Sequence, residues 1–139
     1  MKLHCILLLA ALLSASSLLH AADDDTPLEK QMQTLARGMR QLSMQVSDPS
    51  KQQSTITLIE SLKKAATDSE SLGPRKTATI PVADRAQFLS AFKAQMQKLA
   101  DTFGQIEEVT KAGQYEKAKL LLGNLQGLKR EGHEKFKQD

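Results

Sequence analysis

The sequence predicts an all-α protein, an antiparallel up-down-up-down four-helix bundle that follows a cleaved N-terminal signal peptide. Three observations carry this. Four stretches repeat their apolar residues at alternating spacings of three and four, which keeps one helical face apolar. No stretch alternates with a period of two and β-branched residues are sparse, so strands have nothing to build on. Paired breakers, Asp48-Pro49, Gly73-Pro74 and Ala112-Gly113, stand between the periodic stretches.

The leader comes first. Lys2 is followed by an apolar run, Ile6 to Leu13, that continues through Leu18 and Leu19 to the small residues Ala21 and Ala22 and then to Asp23-Asp24-Asp25. A basic start, an apolar centre and small residues at the end are the pattern of a secretory signal. The continuous run is shorter than the ~20 residues that a membrane-spanning helix needs. Cleavage is expected after Ala21 or Ala22, leaving a bundle domain over 23–139 behind a signal over 1–22. A lipid-anchored leader is excluded, because the single cysteine, Cys5, lies ahead of the apolar centre.

Processing changes the chemistry available. Residues 1–22 hold one charged side chain, Lys2, so the mature chain keeps 18 basic and 16 acidic residues and a formal charge of +2. The only cysteine leaves with the leader, and so do His4 and His20, which makes His133 the one histidine that remains. A disulfide, a Cys-x-x-Cys-His attachment site, a zinc cluster and a cysteine nucleophile are thereby excluded. A Ser/His/Asp enzyme would have to use His133.

The helices follow in order. Between Thr26 and Val46 the stripe runs Leu28, Met32, Leu35, Met39, Leu42 and Val46. Thr26 is placed to cap it, Pro27 suits the first helical position, and Glu29 can reach back as the capping-box partner. The second stripe is Leu58, Leu62, Ala65, Ser69 and Leu72, with Ile59 and Ala66 beside it. Residues 73–81 hold glycine and two prolines without a sustained period and form the one long connection. The third stripe starts at Val82 and passes through Leu89, Phe92, Met96, Leu99, Phe103 and Ile106. The fourth is Ala118, Leu121, Leu125, Leu128 and Gly132, widened by Leu122 and Phe136. Short connections favour antiparallel neighbours. Gly104, Gly123, Gly127 and Gly132 fall inside helices, where each costs about 1 kcal/mol relative to alanine.

In that topology the first helix begins where the fourth ends. Met32 lies about 7 Å into the first helix and His133 about 6 Å from the end of the fourth, at 1.5 Å per residue, so the two reach one height. A thioether and an imidazole can face each other there, with Phe88 and Phe92 of the third helix at the same end. The same residues also suit plainer roles: methionine fills core gaps, and histidine near a helix C-terminus complements the dipole.

Leu28-Glu29-x-x-Met32-x-Thr34-Leu35 at the head, Phe92 in the third helix, Gly113-Gln-Tyr-Glu-Lys-Ala118 opening the fourth and His133-x-Lys135-Phe136-Lys137 at the tail resemble the soluble cytochrome b562 family. The resemblance covers nearly all of the mature chain. That cytochrome is a standard example of the bundle topology, so the agreement of fold is not independent support. The resemblance implies one b-type haem (iron protoporphyrin IX), with Met32 and His133 as its axial iron ligands and Phe92 and Lys129 beside it. With no cysteine left, the haem would be held noncovalently. Two positions depart from the family pattern: Gly132, where a bulkier side chain is expected, and Lys129, where an arginine often stands. Gly132 is expected to leave one wall of the site open.

The expected function is periplasmic electron transfer by a monomer, with redox proteins as partners and no membrane contact after the signal is removed. With both axial positions filled, no open site remains for oxygen or peroxide, which argues against catalysis. Paired carboxylates, a Gly-rich phosphate loop and nucleophile-base spacing are absent from the sequence, so an enzyme is not expected. A charge of +2 with interleaved acids supplies no basic stripe for nucleic acid. The competing reading is a haem-free periplasmic helical bundle that serves as a binding module.

Overall fold

The first helix starts where its local chemistry dictates. In the computed structural model, which describes residues 25–137, α1 spans Pro27–Gln45. Thr26 Oγ1 accepts from Glu29 N at 3.2 Å while Glu29 accepts from Thr26 N at 2.6 Å, completing the capping box. The signal expected at 1–22 lies outside the described residues. Asp48 ends the first turn of chain by accepting from Ser50 N and Ser50 Oγ, which opens a short 3-10 turn over Pro49–Lys51. α2 follows at once over Gln52–Ser69.

Residues 73–81 are the long connection, but not an irregular one. Two 3-10 turns, Arg75–Thr79 and Val82–Asp84, lead into α3 at Arg85–Lys111. Gly113, at φ 71°, turns the chain into α4, Tyr115–Phe136. Only glycine adopts that backbone freely. α1 packs on α2, α2 on α3 and α3 on α4. The pairings Gln52–Thr110 and Gln97–Glu70 run α2 and α3 antiparallel, as Gln95–Leu128 and Phe92–Phe136 do for α3 and α4. The described residues form four antiparallel helices and no strand.

Three details of the stripes differ from expectation. Val82 sits in a 3-10 turn and is exposed, and Leu89 is half out of the core, so the α3 stripe begins at Phe88 and Phe92. On α2 the buried line passes through Thr55, Ile59, Leu62, Ala66 and Ser69, with Leu58 at its edge. On α4 the line is Ala118, Leu122, Leu125 and Phe136, and Leu121 is displaced to the margin. A heptad spacing defines a stripe to within one position, and the neighbouring helix decides which of two adjacent residues points inward.

The glycines are not equivalent. A Cβ built on Gly38 would lie 2.3 Å from Leu62 Cδ2, with Leu62 itself almost wholly buried, so Gly38 is where α1 and α2 approach most tightly. At Gly123 and Gly127 a Cβ would meet nothing within 4 Å. Gly127→Ala is therefore expected to stabilise the fold by up to about 1 kcal/mol, the helix-propensity difference. Gly38→Ala gains the same propensity but must displace a packed leucine at about 1–3 kcal/mol. A net loss of about 1 kcal/mol is expected. Urea unfolding of the two variants should give midpoints on opposite sides of the parent.

Candidate functional site

The start of α1, the end of α2, the start of α3 and the end of α4 meet at one end of the bundle. α1 and α4 are not packed along their lengths as the sequential pairs are, and the space between them at this end is a cavity of about 470 Å³. Sites for small molecules commonly measure about 300–1,000 Å³. α1 lines it with Leu28, Met32, Leu35 and Met39; α3 with Phe92, Gln95, Met96 and Leu99; α4 with Leu128, Lys129, Gly132, His133 and Phe136. The lining is largely aliphatic, aromatic and thioether. Polar and charged groups, Asp25, Glu29, Arg75, Lys129 and Lys137, ring its rim.

Met32, Phe92, Lys129 and His133 all border this one cavity. Met32 is partly buried against the core. His133, on the last turns of α4, is exposed on one side and faces the cavity on the other. Burial, and then the charges of Lys129 and Lys137, push its pKa below the ordinary histidine value, so the neutral ring is favoured at pH 7. Phe92 is deeply buried and meets Phe136 edge to face at 5.4 Å; Phe88 meets the same ring at 5.3 Å from outside the cavity. Edge-to-face rings fix one another's orientation, which gives the cavity a stiff aromatic wall. Of the two basic neighbours on α4, Lys129 lines the cavity and Arg130 does not.

Gly132 does not simply open a wall. Gln95 lies 3.8 Å from the position its Cβ would take, is itself buried, and donates from Nε2 to Leu128 O at 3.0 Å. The α3 side chain thus occupies the space that glycine leaves on α4. Arg75 is the other residue the sequence did not single out. Arising from the turn after α2, it pairs with Glu29 at 2.8 Å and draws the connection, with buried Pro74, against the start of α1. The capping hydrogen bond from Thr26, followed by Arg75, lowers the Glu29 pKa. Glycine and proline around Arg75 marked a turn; nothing local indicated that this turn folds over the mouth of the cavity.

The cytochrome b562 family model matches residues 27–137, from the first residue of α1 to the residue after α4. The chain belongs to the cytochrome b562 family. Members of this family are haem-binding proteins of the electron-carrier type, and the family cofactor is a b-type haem. The match spans all four helices and therefore includes the helical walls of the cavity and Met32, Phe92, Lys129 and His133. No curated protein and no solved structure matches the chain. Among the described residues, no helix is long and apolar enough to cross a membrane.

Proposed function

We propose that the protein holds one noncovalent b-type haem in the α1/α4 cavity, with Met32 and His133 as axial ligands, and serves as a periplasmic electron carrier. The observation that carries this reading is the convergence of the thioether and the only histidine outside the leader, far apart in sequence, on one apolar cavity in a chain of this family. The residues suit the group. Among the described residues no cluster of three or more His, Cys, Asp or Glu side chains could hold a bare metal ion, whereas one sulfur and one imidazole are what an iron already bound in a macrocycle requires. When bound, the haem supplies a one-electron centre.

The protein's own residues do the rest. His133 offers a neutral nitrogen, and its lowered proton affinity keeps that nitrogen available at neutral pH. The Met32 thioether favours the ferrous state and so raises the potential. Phe92 and Phe136 exclude water from one side of the cavity, while Lys129 at the rim offers its charge to the carboxylates of the cofactor. The leader at 1–22 would deliver the chain to the periplasm, and since Cys5 leaves with it, the haem is retained by coordination and packing alone.

The test is a titration of purified, leader-free protein with haemin. One-to-one uptake and, on reduction, the sharp visible bands of a six-coordinate low-spin haem are expected; no uptake would leave the haem-free binding module as the function. The pH dependence is fixed in sign. Protonation removes the ligand lone pair, so haem should remain bound through neutral pH and be released as pH falls below the ordinary histidine range. In the haem-free bundle the unfolded chain takes up that proton more readily than the folded one, so acidification through the same range also weakens the fold.

A further inference from the structure

The end of the bundle away from the cavity holds an unusual set of polar side chains. Gln45 closes α1, Thr55 lies in the first turn of α2, and Thr110 is one residue from the end of α3. They are 7%, 1% and 0% exposed, yet Gln45 Nε2, Thr55 Oγ1 and Thr110 Oγ1 have no hydrogen-bond partner among the described residues. A buried polar atom without a partner costs free energy, and native proteins rarely leave one so.

The two threonines also depart from the other threonines within the α-helices. Thr34, Thr57, Thr67 and Thr102 each donate to the carbonyl four residues back, at 2.8–3.2 Å. Thr55 and Thr110, the deepest of the helical threonines, do not.

Helix register places the three groups in one layer. The Gly38–Leu62 approach pairs α1 with α2; two turns on along α1 and two turns back along α2, the register brings Gln45 to the height of Thr55. Gln52 Nε2 donates to Thr110 O at 2.7 Å, and Thr55 is one turn on from Gln52. Ala118, fully buried in the first turn of α4, supplies only a methyl group at this end. An amide N–H and two hydroxyls therefore lie in one buried layer of the bundle.

We propose that this niche binds an ordered water molecule that bridges Gln45, Thr55 and Thr110. Water matches the donor set. It accepts from the Gln45 amide and from one threonine hydroxyl and donates to the oxygen of the other, which gives the three hydrogen bonds typical of buried water. The water ties together the ends of three helices at the pole opposite the cavity.

The direct test is made on the unaltered, haem-free protein: water-to-protein nuclear Overhauser effects to the Thr55 and Thr110 methyl groups from a long-lived water. Their presence is expected, and their absence overturns the proposal. The second test replaces the hydroxyls by nearly isosteric methyls in Thr55→Val and Thr110→Val. A bridging water predicts a several-fold fall in the folding equilibrium constant for each variant, with the double variant losing less than the product because both act through one molecule. Thr110→Ser keeps a hydroxyl and should retain the water signal at the Thr55 methyl. A dry niche predicts the reverse, a folding constant that rises independently with each valine, since an orphaned hydroxyl is removed each time.

Discussion

Replacing His133 by alanine is expected to abolish the six-coordinate low-spin spectrum and weaken haem binding by roughly a hundredfold, equivalent to about 2.8 kcal/mol at 1.4 kcal/mol per decade. The size of the effect follows from composition. His133 is the only histidine beyond the leader, and no other imidazole can substitute for it. The bundle itself should be indifferent to the change, because the ring is partly in solvent and its backbone carbonyl still accepts from Lys137 N at 3.1 Å. Circular dichroism of the haem-free variant should match the parent, separating lost coordination from lost folding. Lys129→Ala supplies the contrast: Lys129 lines the same cavity but is not one of the two proposed ligands, so its loss should shift affinity modestly and leave the low-spin bands in place. An unchanged spectrum in His133→Ala would falsify the assignment of the ligand.

Phe103→Ala should produce the largest loss of stability, about 3–5 kcal/mol. Phe103 is 0% exposed and is the largest of the fully buried side chains. It stands on α3, the helix that packs against both α2 and α4, so truncation removes contacts on two interfaces and opens a cavity that the flanking helices can only partly close. A domain of this kind has about 5–15 kcal/mol in total, and several glycines already lie within its helices. The variant should lie near the edge of folding without haem and recover part of its stability when haemin is added, since a ligand that binds only the folded state shifts the equilibrium toward it. Urea unfolding with and without haemin measures both. A loss below about 1 kcal/mol in the haem-free protein would mean that α3 is not the packed centre of the bundle.

The elements written most plainly in the sequence are those specified by neighbours in the chain. Thr26, Pro27 and Glu29 announce the start of α1 because capping is a contact across three residues. Asp48 and Gly113 mark turns for equally local reasons, a side chain accepting from Ser50 and a backbone angle that suits glycine. The choice between Leu58 and Ile59, or between Leu121 and Leu122, was less legible. Each pair fits the same period, and the face that turns inward is set by the helix packed against it. Val82 extended the α3 pattern by a correct spacing, yet the two 3-10 turns before Arg85 leave it in solvent.

The cavity divides in the same way. Met32, His133 and Phe92 were legible because sulfur, imidazole and aromatic rings are scarce in this chain and their heights along the helices follow from counting residues, and Lys129 because it stands where the family resemblance places a basic side chain. Gln95 and Arg75 were not, because a glutamine on α3 and an arginine in a turn carry no local sign of what they will touch. Gln95 matters only because Gly132 sits opposite it, and Arg75 because the connection folds back onto Glu29. The polar layer of Gln45, Thr55 and Thr110 ran against the sequence pattern altogether, since polar residues at helix ends read as surface. The amino-acid sequence by itself determined the four helices, their order and the scarce residues at one end, because periodicity and capping act over a turn or less. Only the tertiary structure decided that α1 and α4 stand apart around a cavity and that Gln95 fills the wall beside Gly132, because those outcomes depend on contacts between residues tens of positions apart.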